Sequence, residues 1–220
     1  MLRKKNSSII ISYLNLRRLI GIVAIILPFI CFLGGLVFGE FGLERSISYY
    51  YYTNMRDVLV GMMVCLSVFF MTYKGYEKLD NVITHVIGIS CLGVALFPCL
   101  FSENENLYTG LFLLPQQISQ YVHFLFASVF FLLLAVNSIF IFTLTQPGNK
   151  ITDQKRLRNA IYIICGIIII ILLLSMFILL LILGRKRFNE YPIAFILESL
   201  ALFAFGFSWI VKGKTILQDK

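Results

Sequence analysis

The sequence has few charged residues. Asp, Glu, Lys and Arg make up only 14% of the chain, against about 25% in soluble globular domains. Hydrophobic residues make up 59%, and they gather in continuous runs of about 17–25 residues, the length that crosses a bilayer as an α-helix. Continuous runs also exclude a β-barrel, which needs short alternating segments. We therefore predict an all-α, polytopic transmembrane protein.

Common signatures of catalysis and of metal binding are missing. The five cysteines form no CxxC pair, only two histidines are present, and no P-loop, GxSxG or HExxH motif occurs. We therefore expect no metal site, and the sequence indicates no particular cofactor. The basic residues are spread over short loops and tails and form no single stripe, so we expect no nucleic-acid partner.

Six apolar runs predict a bundle of six transmembrane helices in a single integral membrane domain covering residues 1–220. The connections are too short for a soluble domain. The first run follows a basic N-terminus, as in a signal peptide, but it is longer than a typical signal h-region, so we expect it to be a mature span. The predicted spans are residues 19–38, 57–73, 82–100, 120–144, 159–183 and 192–211.

The distribution of basic residues predicts the direction of the spans. With both termini cytoplasmic, fourteen of the 19 Lys and Arg residues lie on the inner face, as the positive-inside rule requires. The triplet Arg185-Lys186-Arg187 then lies on the outer face, against the rule. We expect a multi-pass protein of a cell inner membrane.

Two spans have compositions that predict their packing. Ser175 is the only polar residue between Ile167 and Leu183, so span five offers neighbours little to bond with and should face lipid. In span one, Gly35-x-x-x-Gly39 is a small-residue pattern that permits close helix approach. We expect it to serve packing inside the bundle.

Glu198 is the most informative residue, because it lies inside the sixth apolar run. An acidic residue at mid-membrane costs about 2.5–3.5 kcal/mol to insert, so it is retained for a function or beside a partner. The predicted topology brings further polar residues to the same outer level. Two interpretations stay open at this point: a binding or catalytic site, or a structural network that locks the bundle. The candidate site residues are Ser46, Ser48, Arg56, Asp57, His123 and Glu198.

Two loop segments border this region. The four tyrosines at positions 49–52 are typical of the aromatic belt at a membrane interface. The apolar segment Leu107–Gln117 is predicted to be an interfacial or re-entrant piece that caps the outer face.

Several motifs resemble a set of uncharacterised bacterial six-span membrane proteins. They are SISYYYYTNMRD at residues 46–57, YKGY at residues 73–76, a histidine at the outer start of span four, and a glutamate followed by SWIVKG at residues 208–213. These proteins are distantly similar to the DRAM-like six-span family, and the resemblance implies a role in membrane or glycolipid homeostasis. The Ser, Asp and His residues also resemble those of alkaline-ceramidase-like hydrolases, which have seven spans and three metal-binding histidines.

These observations leave three functions open. The first is binding or modification of a lipid at the polar site in the outer-leaflet half of the bundle. The second is a small channel or transporter, which would need a polar path across the membrane. The third is a non-catalytic partner or regulator of another membrane protein. The expected partners are membrane lipid and, in addition, a second copy of the chain or another membrane protein.

Overall fold

The computed structural model describes residues 2–39, 42–75, 78–101, 107–145 and 151–213. Within these ranges the chain is predominantly helical, which confirms the predicted class. The helices also overlap the six predicted spans, although α1 and α5 begin earlier, α5 ends later and α4 ends before the predicted boundary at residue 144. They are α1 (Leu2–Phe38), α2 (Arg56–Thr72), α3 (Lys78–Leu96), α4 (Gln116–Val136), α5 (Asp153–Glu190) and α6 (Ile193–Lys212).

Short elements connect or extend these helices. A 3-10 helix (Ser48–Tyr52) precedes α2, and a π-helical turn (Asn137–Ile141) extends α4. Between α3 and α4, strand β1 (Tyr108–Thr109) pairs antiparallel with β2 (Leu114–Pro115). The segment predicted to cap one face is therefore a small β-hairpin.

Five helices are long and apolar enough to cross a membrane. They are α1 from Tyr13, α3, α4 with its π-helical turn, α5 and α6. The remaining helix, α2, has 17 residues, which is at the lower limit for crossing about 30 Å of hydrocarbon. The structure thus supports a multi-pass membrane protein with at least five candidate spans.

The six helices form a closed ring in chain order. Each helix packs against its neighbours in sequence, and α6 packs against α1 to close the ring. Short connections favour such an antiparallel arrangement. One end of the bundle, here called the site end, is where α2, α4 and α6 begin. The other is called the opposite end.

Two glycines set the contact between α1 and α6. A Cβ atom added at Gly21 would lie 2.5 Å from the carbonyl oxygen of Gly206, and one added at Gly206 would lie 2.6 Å from the carbonyl oxygen of Gly21. Each backbone therefore occupies the space that a side chain on the other helix would need. Such close approach is how small residues strengthen helix packing in membranes.

Helix α5 is the least buried of the candidate spans, as the sequence predicted. Only 11% of its 18-residue apolar stretch is buried, against 39–44% of the corresponding stretches in the other four helices. The helix is interrupted at Gly184, whose φ of 70° and ψ of 159° are not helical. Glycine adopts this conformation at little cost because it has no Cβ. The break lies next to the predicted end of span five at residue 183.

Aromatic side chains fill the centre of the ring towards the opposite end. Trp209 is fully buried, and its ring packs edge-on against Phe70, Tyr73, Phe142 and Phe205. These contacts join α2, α4 and α6 across the ring. Perpendicular pairs of this kind are a favoured aromatic geometry.

Candidate functional site

The loop between α1 and α2 is bonded to the first turns of α6. The backbone N–H of Phe195 donates to the carbonyl oxygen of Arg45 at 3.0 Å. Two residues further along the loop, the backbone N–H of Ile47 donates to Oε2 of Glu198 at 2.8 Å. The Glu198 carboxyl therefore fixes this loop against the bundle, and among the described residues no donor meets its other oxygen, Oε1.

The tyrosines at positions 49–52 hold this loop through their hydroxyl groups, and their place in an aromatic belt stays a prediction. Tyr50 is fully buried, and its hydroxyl donates to the carbonyl oxygen of Gly42 at 3.3 Å. The hydroxyl of Tyr52 bonds to the carbonyl oxygen of Cys99 and meets Oγ1 of Thr109 at 3.2 Å. Burial raises the pKa of Tyr50 to about 12, so this hydroxyl stays protonated at neutral pH.

A narrow cavity opens inside the ring below this loop. Its volume is about 50 Å³, which is room for a few water molecules at about 10–15 Å³ each. Its walls come from five helices and the loop, and they are mostly apolar. Polar side chains lie at its site end and apolar ones deeper in the bundle. The lining residues are Leu27, Ile47, Ser48, Tyr51, Leu59, Val60, Met63, Val94, Ala95, Pro98, His123, Ala127, Phe130, Phe131, Glu198 and Leu202.

His123 contributes an imidazole to the cavity wall from the second turn of α4. The ring is 4% exposed, and Nδ1 lies 2.7 Å from the carbonyl oxygen of Phe97. Because a carbonyl oxygen only accepts, Nδ1 must carry a proton, and in the neutral ring Nε2 is then an acceptor. The cavity rim thus combines an imidazole, the Glu198 carboxyl and the Ser48 hydroxyl.

The structure brings together three of the six predicted site residues and places the other three elsewhere. Ser48, His123 and Glu198 line the cavity. Ser46 instead accepts from the backbone N–H of Tyr49 at 3.1 Å and so stabilises the start of the 3-10 helix.

Arg56 and Asp57 point away from the cavity, although the sequence predicted them beside Glu198. Their side chains are 57% and 89% exposed and they bond to each other at 3.3 Å. The reason is their position at the very start of α2. Leu59 and Met63, one and two turns later on the same face, line the cavity, whereas side chains in the first turn lean towards the helix N-terminus and out of the bundle. Among the described residues, Glu198 has no ion-pair partner.

Cys99 is a neighbour of Glu198 that the sequence did not indicate. It follows α3, and its thiol is close enough to be affected by the charge of Glu198. Burial, with a smaller effect of that charge, raises the pKa of Cys99 to about 12. The thiol therefore stays protonated and is a poor nucleophile at neutral pH. No sequence motif marks this electrostatic effect, because it depends on where α3 ends.

The described residues contain no group of three His, Cys, Asp or Glu side chains that could hold a metal ion. The cavity rim has one imidazole and one carboxyl group. Its chemistry, over the described part of the chain, is hydrogen bonding and proton exchange.

A second polar network lies at the opposite end of the bundle and was not predicted. Arg17 is buried and donates to the hydroxyls of Tyr73 at 2.9 Å and Tyr13 at 3.0 Å, and to the carbonyl oxygen of Lys212 at 3.4 Å. Lys212 in turn donates to the carbonyl oxygen of Phe142 at 2.9 Å. These bonds tie α1, α6 and the ends of α2 and α4 together, which is a structural role.

Comparison of the chain with protein-family models, with curated proteins and with solved structures gave no match. The function must therefore be argued from the geometry of the site, and the resemblance to DRAM-like proteins stays a prediction.

Proposed function

We propose that this protein is a six-span membrane protein that binds a lipid through the cavity at its site end. The observation that carries the proposal is the distribution of polarity in that cavity. Its deep walls are apolar side chains such as Phe130, Phe131 and Leu202, and its polar groups are concentrated at the rim. This is the polarity of an amphiphile with its polar part at the membrane surface and its chain between the helices.

The width of the cavity favours a single acyl chain. At about 50 Å³ it is a slot that a chain would have to widen. Met63 lines it, and a flexible methionine adapts easily to such a ligand. The rim offers acceptors, namely Oε1 of Glu198 and Nε2 of neutral His123, so it suits a lipid with a free hydroxyl or N–H close to its chain. A single-chain glycerolipid has one acyl chain and a free hydroxyl beside it.

The channel alternative has less support. Polar groups do occur deeper on α4, where the Ser138 hydroxyl bonds to that of Ser208 at 3.1 Å. Between His123 and Ser138, however, the same helix presents Phe130 and Leu134, which are 3% and 0% exposed. Tightly packed apolar side chains therefore separate the two polar levels. A role as a partner of another membrane protein has no specific observation in its favour.

Filling the cavity should expel the lipid. Ala127 lines the slot, and Ala127→Leu adds three carbon atoms where the acyl chain would lie. We expect at least a tenfold reduction of lipid that co-purifies in mild detergent, measured by native mass spectrometry. Ala95→Leu, at another lining position, should do the same. Ala160→Leu on the exposed side of α5 is the matched control and should retain the lipid.

The proposal fails if both cavity variants fold with an unchanged melting temperature and still carry as much lipid as the unmodified protein. It also fails if the unmodified protein carries no lipid and takes up none from vesicles of single-chain and double-chain glycerolipids.

The proposed topology has its own test. With both termini cytoplasmic, the positively charged tail after α6 lies on the side that the positive-inside rule favours. We expect a fluorescent protein fused after residue 220 to fluoresce and an alkaline phosphatase fused there to be inactive, with the reverse result for fusions within the 107–115 hairpin. An active phosphatase at the C-terminus would invert the bundle and place the cavity in the inner leaflet.

A further inference from the structure

A second concave surface lies beside the cavity rim, on the site end of the bundle. It is an open groove of about 590 Å³, called here the charged groove. It is lined by five charged side chains of both signs from two parts of the chain. They are Glu44, Arg45, Arg185, Lys186 and Glu190.

The break at Gly184 positions half of this groove. Because α5 cannot continue straight through a residue with φ of 70°, the segment 185–190 takes a new direction before α6 begins. Phe188 is buried, at 6% exposed, and anchors the segment to the bundle. The residues on either side, including Arg185 and Lys186, are exposed. A charged segment held by one aromatic anchor is typical of the membrane–water interface.

None of the five charged side chains belongs to an ion pair among the described residues. Among the described residues the ion pairs are Arg56 with Asp57 and Arg156 with Asp153, and neither involves the groove. Tyr49 holds the Arg45 side chain in place. Arg45 Nη2 donates to the Tyr49 hydroxyl at 2.6 Å, and Arg45 Cζ lies 3.9 Å from the centre of the Tyr49 ring. Three cations and two carboxylates thus line one groove, and within the described residues no ion pair joins them.

The charged groove adjoins the cavity through one stretch of backbone. Arg45 and Tyr49 line the groove, while Ile47 and Ser48 line the cavity. The segment 45–49 therefore separates the two spaces, and a single amphiphile at the rim can contact both. This adjacency also accounts for the outer basic triplet, which opposes the positive-inside rule: two of its three residues line the groove.

We propose that the charged groove binds the zwitterionic headgroup of the lipid, a phosphate joined to a primary ammonium. This inference rests on the proposed function of the cavity. Arg45, Arg185 and Lys186 bind the phosphate, since guanidinium and ammonium groups form charge-assisted hydrogen bonds with phosphate oxygens. Glu44 and Glu190 accept hydrogen bonds from the ligand ammonium.

The environment of Glu44 is consistent with a cationic ligand group. Burial raises the pKa of Glu44 above its ordinary value, and the opposing effect of Arg45 is smaller. A ligand ammonium beside the carboxylate would stabilise its charged form. An anionic headgroup without an ammonium would leave both carboxylates without a counter-charge.

The test compares three single-chain lipids with the same acyl chain. They are lysophosphatidylethanolamine, lysophosphatidylglycerol and monoacylglycerol, titrated into the delipidated protein and followed by native mass spectrometry. We expect the first to bind at least tenfold more tightly than the other two. Arg185→Glu and Lys186→Glu should each weaken its binding about tenfold, and Glu190→Gln should remove the preference over lysophosphatidylglycerol.

Arg187→Glu provides a matched control. Arg187 belongs to the same basic triplet and is also exposed, but it does not line the groove, so this variant should bind like the unmodified protein. An equal loss in Arg187→Glu would show a non-specific surface charge effect and overturn the proposal. So would displacement of the lipid by millimolar inorganic phosphate, because the groove would then be a site for free phosphate.

The outcomes separate this inference from the proposed function. If monoacylglycerol binds as tightly as the two phospholipids, the cavity binds lipid but the groove does not bind the headgroup. If lysophosphatidylglycerol binds most tightly, the carboxylates do not bind an ammonium and the zwitterionic assignment is wrong. If none of the three binds, the proposed function of the cavity fails as well.

Discussion

Gly21→Ala should destabilise the protein strongly, although it adds a single methyl group. The new Cβ would lie 2.5 Å from the carbonyl oxygen of Gly206 and 2.8 Å from Cγ1 of Ile210. A backbone oxygen cannot rotate away as a side chain can, so α1 and α6 would have to separate. Overpacking typically costs about 1–3 kcal/mol and occasionally more. We expect the upper end, or a melting temperature in detergent lowered by roughly 6–12 °C.

Gly61→Ala is the matched control for this prediction. Gly61 is also inside a helix, but no atom lies within 4 Å of the Cβ that would be added. Alanine is favoured over glycine in a helix interior by about 0.5–1 kcal/mol, so this variant should melt at the same temperature or slightly higher. If Gly21→Ala and Gly61→Ala have the same melting temperature, close approach of α1 and α6 does not hold the ring closed.

The Gly21–Gly206 contact shows what a sequence pattern cannot provide. The small-residue motif visible in the first span is Gly35-x-x-x-Gly39, and it was natural to expect close packing there. The structure shows a close approach built from single glycines on helices that are far apart in sequence. Nothing local marks Gly21 or Gly206 as partners, because their proximity follows from the closure of the ring.

The helices themselves were largely predictable. Length and apolar content locate them because a bilayer imposes a minimum run of apolar residues. The low burial of α5 also followed from composition, since its Ile and Leu side chains give neighbours nothing to bond with. The 3-10 helix and the hairpin were harder to predict, because short elements depend on loop contacts such as that of Tyr52 with Cys99.

Three of the six candidate site residues line the cavity, and the different placement of the others has physical causes. Glu198 and His123 were recognised because polar residues inside apolar runs are conspicuous. The partner of Glu198 was expected among the side chains of His123, Asp57 and two arginines, but its hydrogen-bond donor in the structure is the backbone N–H of Ile47. Every residue except proline carries such a donor, so a sequence cannot show which one is used. Arg56 lies outside the site because it is the first residue of α2, and a sequence does not locate a helix start to the single residue.

Glu198→Gln should abolish most lipid binding while leaving the fold intact. Glutamine has nearly the same volume, and its side-chain oxygen can still accept from the backbone N–H of Ile47. The cost to stability should stay near 1 kcal/mol, since a charge-assisted hydrogen bond is replaced by a neutral one. The side-chain oxygen Oε1 is replaced by an NH₂ group. This group cannot accept the hydrogen bond that the hydroxyl or N–H of the ligand would donate. We expect affinity for a single-chain lipid to fall about 10- to 100-fold, because hydrogen bonds to charged groups contribute about 1.5–3 kcal/mol.

Two further variants decide whether Glu198 serves the ligand or only the fold. Glu198→Leu leaves the Ile47 N–H without its acceptor, at a cost of about 1–3 kcal/mol, so it should melt lower than Glu198→Gln while binding lipid equally poorly. Asp57→Asn removes a carboxylate at the same end of the bundle that is 89% exposed and bonded to Arg56, and it should change neither property. The measurements are thermal unfolding in detergent and lipid titration by native mass spectrometry. If Glu198→Gln binds lipid normally but melts at a clearly lower temperature, Glu198 stabilises the loop and does not bind the ligand.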